Sequence, residues 1–120
     1  MITVLVVEDT RSERELICDY VTQGGYTVIS ANNGVEGLEK FEKLQPNVVI
    51  TDLVMPDMSG LELCRAIKRL SSKVPVIACT SNNQDLYRFW GLKQGLDIYI
   101  TKPFTKDEIL QALQSLSIGG

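Results

Sequence analysis

The chain has no histidine. That removes imidazole as a metal ligand, as an acid–base group and as a nucleophile. It also lacks an excess of positive charge. Its 12 Lys and Arg stand against 15 Asp and Glu, a net charge of −3, and no basic stripe is left for direct nucleic-acid binding. Cysteine is sparse and odd in number. Cys18, Cys64 and Cys79 match no metal or redox spacing and are expected as buried, reduced thiols. No apolar run approaches the ~20 residues of a bilayer span, so membrane insertion is not expected. The opening Met1-Ile2-Thr3-Val4-Leu5 has neither a basic lead nor a long apolar core and reads as a strand, not a signal peptide. The expected compartment is the cytoplasm. Internal repeats, linkers and low-complexity stretches are missing too. The 120 residues suffice for one domain, 1–120, with a sizeable core; a monomer is the default.

What is present is alternation. Short runs rich in β-branched residues at 2–7, 26–30, 48–51, 74–79 and 98–101 are apolar throughout. That pattern suits strands buried on both faces of a parallel sheet. Helical periods lie between them. Leu16, Ile17, Tyr20 and Val21 share a face of the first, stopped by Gly24-Gly25. Val35, Leu38, Phe41 and Leu44 mark the second, and Leu61, Leu63, Cys64, Ile67 and Leu70 the third. Leu86, Phe89, Trp90 and Lys93 mark the fourth, ended at Gly95. Ile109, Leu110, Leu113 and Leu116 mark the fifth, with Thr105 and Glu108 at capping-box spacing. Gly37 and Gly91 fall inside helical patterns, at roughly 1 kcal/mol each relative to Ala. Five βα units predict an open, doubly wound α/β sandwich, which binds its ligands at the carboxyl ends of its strands.

Four of the five strands end in a chemically capable group: Glu8-Asp9, Asp52, Thr80-Ser81 and Lys102-Pro103. If the first and third strands are neighbours, as in a 2-1-3-4-5 order, then Glu8, Asp9 and Asp52 converge. Two carboxylates about 4 Å apart repel by about 4 kcal/mol at an effective dielectric near 20. The cluster must therefore hold a cation, share a proton, or both. Oxygen-only ligands with open positions suit Mg²⁺ better than zinc. Lys102 adds a compact positive charge and Thr80 a neutral hydroxyl. A carboxylate nucleophile, a divalent metal, an ammonium group and a hydroxyl together suit phosphoryl transfer. Each residue alone has an ordinary explanation as an N-cap, a loop acid or a turn. The weight rests on their meeting at one rim.

These stretches resemble the receiver domains of bacterial two-component response regulators, across essentially the whole chain. The resemblance lies in Val4-Leu5-Val6-Val7-Glu8-Asp9, Asp52-Leu53-Val54-Met55-Pro56-Asp57-Met58-Ser59-Gly60, Thr80-Ser81 and Lys102-Pro103-Phe104. It implies a flavodoxin-like (βα)5 sandwich with a five-stranded parallel sheet in the order 2-1-3-4-5. It implies that Asp52 is the phospho-acceptor. Glu8 and Asp9 would hold Mg²⁺ directly or through water, with the main-chain carbonyl of Val54 completing the site. Lys102 would bridge to the phosphoryl group, and Pro103 would follow it in the cis form. Thr80 would move toward a phosphoryl oxygen, and Tyr99 would turn inward with it. The implied partners are a sensor histidine kinase and a downstream protein target, read through the face of the fourth helix, fifth strand and fifth helix. Such a chain is not an enzyme on external substrates. It is a phospho-acceptor that assists only its own phosphorylation and dephosphorylation.

A narrower resemblance lies in Trp90-Gly91-Leu92-Lys93-Gln94-Gly95, which is similar to regulators of chemotaxis-like systems controlling type IV pilus motility. Two positions depart from the commonest receiver pattern. Leu96 and Ile98 are expected to make the surface near the fifth strand more apolar. Val54 and Asn82 sit at positions that tune phosphoryl lifetime in the family. Without an output domain, the signal is expected to pass by protein contact or by draining phosphate from a shared kinase; if the chain is a fragment, an effector could follow Gly120. Two rival readings stand beside this one. A Mg²⁺-dependent aspartyl phosphatase would generally carry a second acid where Val54 stands, together with a cap domain. A receiver-fold scaffold would ignore phosphorylation. A flavodoxin-like electron carrier is disfavoured, because Asp9-Thr10-Arg11-Ser12 lacks glycines to cradle a phosphate.

Overall fold

A computed structural model describes residues 1–81 and 95–116, the side chain of Thr80 excepted. Five parallel strands form one sheet: β1 (Thr3–Val7), β2 (Thr27–Ala31), β3 (Val48–Thr51), β4 (Val76–Thr80) and β5 (Ile98–Thr101), in the order β2-β1-β3-β4-β5. Four described helices flank it: α1 (Arg11–Gln23), α2 (Gly34–Leu44), α3 (Gly60–Leu70) and α4 (Lys106–Ser115), the last being the fifth helical stretch of the sequence. The period-two geometry of β1 sorts the core into two layers. Val4 and Val6 pack with Ile17 and Val21 of α1 and Ile109 and Leu113 of α4. Leu5 and Val7 pack on the other side with Phe41 of α2 and Leu63, Cys64 and Ile67 of α3. Both sheet faces are thus covered, which is why the strands read as continuous apolar runs.

Local signals explain the ends of the elements. Gly24 closes α1, its N–H donating to Tyr20 and Val21 carbonyls, and Gly25 turns the chain with φ 92°, a backbone open to glycine at little cost. Ser59 caps α3 by accepting from the Glu62 N–H. The Thr105–Glu108 capping box forms at the start of α4. The fourth strand begins later than the apolar run suggests, at Val76 in place of residue 74. The Val74 N–H is spent on the Ser71 carbonyl in a turn, and Pro75 has no N–H to pair. Thr80 is the last residue of that strand and does not follow it.

Several helical residues expected on core faces point elsewhere. Leu16, Val35, Leu44 and Leu70 are exposed. In α2 the buried face runs through Gly34, Gly37 and Phe41, so the helix approaches the sheet along its small residues. A methyl added at Gly37 would lie 2.8 Å from a Val7 methyl. Glycine is what lets α2 sit this close to β1, which offsets its weak helix propensity. Leu96, expected to add apolar surface, is instead buried in the α2–α3 layer, and Ile98 packs half-buried against the other. Cys64 and Cys79 are buried and outside any disulfide, whereas Cys18 is only half-buried. Burial pushes the Cys64 thiol up to about 11 and the Cys79 thiol up to about 12. The fourth helical stretch, Asn82, Trp90 and its following residues to Gln94 lie outside the described residues.

Candidate functional site

Register brings the acids together. Val7 of β1 pairs with Thr51 of β3, so Glu8 and Asp52 leave adjacent strands side by side. The Asp52 N–H continues the ladder to the Val7 carbonyl at 3.1 Å, and the Glu8 N–H reaches Ala31 at 3.2 Å. Lys102 leaves β5 at the same rim, and its peptide bond to Pro103 is cis. Its ammonium group spans the acids. Lys102 Nζ donates to Glu13 Oε2 at 2.5 Å, Glu8 Oε2 at 3.1 Å and Asp52 Oδ2 at 3.3 Å.

Each acid is held from behind. Glu8 is buried, accepts from the Thr10 N–H through Oε1, and has its own carbonyl gripped by Arg14 Nη1 at 2.9 Å. Asp52 Oδ1 accepts from the Val54 N–H at 3.3 Å. The loop after Asp52 is anchored twice. Gly60 N–H donates to the Leu53 carbonyl at 2.8 Å. Asp57 accepts from the Gly34 and Val35 N–H groups, the open N-terminus of α2. These two bonds, the one to Val35 first, hold the Asp57 carboxyl below its ordinary range. A methyl at Gly60 would fall 2.1 Å from the Asp52 carbonyl oxygen, so only glycine permits this approach of α3 to the Asp52 backbone.

The electrostatics follow from burial. Removal from water, reinforced by the Asp52 charge, pushes the Glu8 carboxyl up to about 7 against the opposing pull of Thr10 and Lys102. Burial opposes the charge on Lys102, but the bonds from Glu13 and Glu8 outweigh it and raise its pKa. Among the described residues, Glu8, Glu13 and Asp52 form the one acid group whose carboxylate oxygens lie within 4.8 Å of one another. Three oxygen donors and a strained charge balance fit a hard divalent cation such as Mg²⁺, and the site is compatible with one.

The placement of the expected residues is uneven. Glu8, Asp52 and Lys102 meet. Asp9 follows Glu8 but is exposed and outside the acid group. The Val54 side chain is exposed, and its backbone sits against Asp52. Thr80 ends β4 opposite Thr101 of β5. Tyr99 is half-buried, packed on the α2–α3 layer. Glu13 is the residue that reasoning from strand ends missed. It stands in the first turn of α1, where an acid favours the helix dipole, and that ordinary role hid it. Its spacing of five from Glu8 was the available signal, since the first turn of a helix entered straight from a strand end stays at the rim.

Residues 4–114 match the family model of the response regulator receiver domain. The chain belongs to that family. It is 35% identical over 115 residues to response regulator MprA of Mycobacterium ulcerans (strain Agy99), covering 96% of this chain and 50% of that protein. MprA of Mycobacterium leprae (strain TN) is 34% identical over 113 residues, with 94% and 50% covered. The receiver chain thus spans about half the length of the curated relatives it matches. Among solved structures it is similar to the Vibrio cholerae chemotaxis protein CheY4, with a TM-score of 0.92 and 30% identity over 97% of this chain and 98% of that one. A response regulator receiver domain protein from Clostridium thermocellum matches with a TM-score of 0.92 and 28% identity, covering 97% and 94%.

Proposed function

We propose that this receiver accepts a phosphoryl group on Asp52 from a sensor histidine kinase and switches its protein contacts as a result. The observation that carries the reading is the Lys102 ammonium shared between Glu8 and Asp52, groups brought from three strands to one rim. An Asp52 carboxylate oxygen attacks the phosphorus of a phosphohistidine. The P–N bond breaks, and its electron pair stays on the imidazole nitrogen, which takes a proton from solvent. Glu8 and Asp52, with Asp9 and the Val54 carbonyl, would hold Mg²⁺. When bound, the ion neutralises charge on the transferring oxygens. Lys102 supplies the second positive charge there. A bound cation would lower the cost of ionising the buried Glu8 carboxyl, which is raised by burial and by the Asp52 charge.

The switch would run from the phosphoryl group through Thr80 and Tyr99 to the surface around β5 and α4, where a downstream protein reads it. The shift in population equals the differential stabilisation the phosphoryl group supplies. The likeness to a chemotaxis protein of Vibrio cholerae favours motility-type signalling. The pilus-linked refinement rests on Trp90 to Gly95, of which only Gly95 lies within the described residues. No described helix is long and apolar enough to cross a membrane.

Incubation with Mg²⁺ and acetyl phosphate, followed by intact mass measurement, tests the reading. One added phosphoryl group is expected in the parent chain and none in Asp52→Asn. Absence of the adduct with this donor and with phosphorylated histidine kinases would leave a scaffold as the better account. Turnover of an external phosphomonoester would favour the phosphatase.

A further inference from the structure

We infer that Glu13 is a latch on Lys102, a positioning residue that restrains phosphorylation of Asp52. The inference rests on the phospho-acceptor reading and deepens it. Lys102 has three N–H donors, and all three are in use. Of the three contacts the one to Asp52 is the longest, at 3.3 Å, while Glu13 and Glu8 lie closer. The ammonium is therefore drawn toward α1 and held most loosely by the acceptor it would serve. A phosphoryl oxygen takes the place of Asp52 Oδ2, the longest of the three contacts, so Lys102 must shift toward Asp52 and loosen its hold on Glu13 or Glu8.

Burial decides which partner is released. The Glu8 side chain is 1% exposed and the Asp52 side chain 11%, while Glu13 is 40% exposed. A freed Glu13 carboxylate regains water at once. A freed Glu8 carboxylate would be left charged and dry, which costs far more. Glu13 is thus the contact that breaks when the phosphoryl group arrives, and its strength opposes transfer. It adds a second obstacle, because its charge lies with those of Glu8 and Asp52 in one group and repels an anionic donor. The first effect acts through Lys102; the second acts through space.

The test follows phosphorylation of the full chain by acetyl phosphate with saturating Mg²⁺, read by intact mass against time. In that reaction an Asp52 oxygen–phosphorus bond forms, the P–O bond to acetate breaks, and acetate leaves with its electron pair. Glu13→Gln is expected to raise the rate constant about three- to fivefold, the range of a partly exposed ion pair, without hastening phosphoryl loss. Glu13→Asp, which keeps the charge on a shorter stem, should fall between the two. Glu15→Gln removes the same charge two residues along α1, where Glu15 pairs, among the described residues, with exposed Arg11, and should leave the rate at the parent value. Urea midpoints of the variants check that the fold is intact. A Glu13→Gln rate at or below the parent overturns the latch, as does an equal gain from Glu15→Gln. A parent chain that takes no phosphoryl group overturns the phospho-acceptor reading itself, a distinct result.

Discussion

Replacing Glu8 by Gln isolates the charge cost built into the rim. The Glu8 carboxyl rises from its ordinary 4.5 to about 7, first because it is buried and then because Asp52 faces it. At roughly 1.4 kcal/mol per pH unit, ionising it in the folded chain costs about 3 kcal/mol. The sign follows from linkage. An acid whose folded pKa is raised binds more protons folded than unfolded, so stability falls as pH rises. The loss begins near pH 4.5, accrues to pH 7 and is complete above it. Glu8→Gln carries no such charge and can keep the Thr10 N–H bond through its amide oxygen. In EDTA, urea unfolding followed by circular dichroism should show the variant gaining on the parent between pH 4.5 and 7.5, by up to about 3 kcal/mol. Mg²⁺ should then close the gap from the other side, since an ion that binds only the folded parent adds about 2.7 kcal/mol at a hundredfold excess over Kd. A parent-minus-variant difference that stays flat from pH 5 to 8 would refute the account of Glu8 as a strained, buried acid.

Two further outcomes test the scaffold behind the site. Gly60→Ala should cost roughly 3 kcal/mol in urea unfolding, because its methyl would meet the Asp52 carbonyl oxygen and the Leu53 Cα, backbone atoms that cannot rotate away; a cost near zero would mean that α3 does not pack so closely. Asp57→Asn should lower the melting temperature at pH 7. The Asp57 carboxyl is depressed in the folded chain, so its contribution is present above the ordinary pKa of 3.8 and lost as pH falls through the folded value; a parent–variant difference that persists undiminished at pH 2 would be the wrong sign for a charged cap on α2.

The alternation of apolar runs and helical periods was enough to read the fold class and the number of strands and to put Glu8, Asp9, Asp52 and Lys102 on one rim, because those follow from local rules; that Glu8 and Asp52 adjoin needed the 2-1-3-4-5 order, which came from the family resemblance, and Asp9, expected with them, stays outside the group. A run buried on both faces looks different from one buried on a single face, and strand ends in a parallel sheet share a rim by construction. Helix faces were read less well. Leu16, Val35, Leu44 and Leu70 are exposed, since a helical period says which residues align but not which side of the stripe the sheet will cover. In α2 the deciding residues were Gly34 and Gly37, whose lack of bulk carries no hydrophobic signal.

What the sequence determined by itself was the set of chemically capable groups: carboxylates at two strand ends, one lysine at a third, and no imidazole anywhere. What only the tertiary structure decided was their arrangement. Asp9 lies outside the acid group and Glu13 lies within it, because the first turn of α1 swings one acid toward Lys102 and leaves the other in solvent. Whether Glu8 is an ordinary acid or one raised to about 7 was equally beyond the sequence. The same carboxyl would be unremarkable on the surface, and it is the packing of the rim, with Thr10, Arg14, Asp52 and Lys102 gathered around Glu8, that goes with the loss of its water.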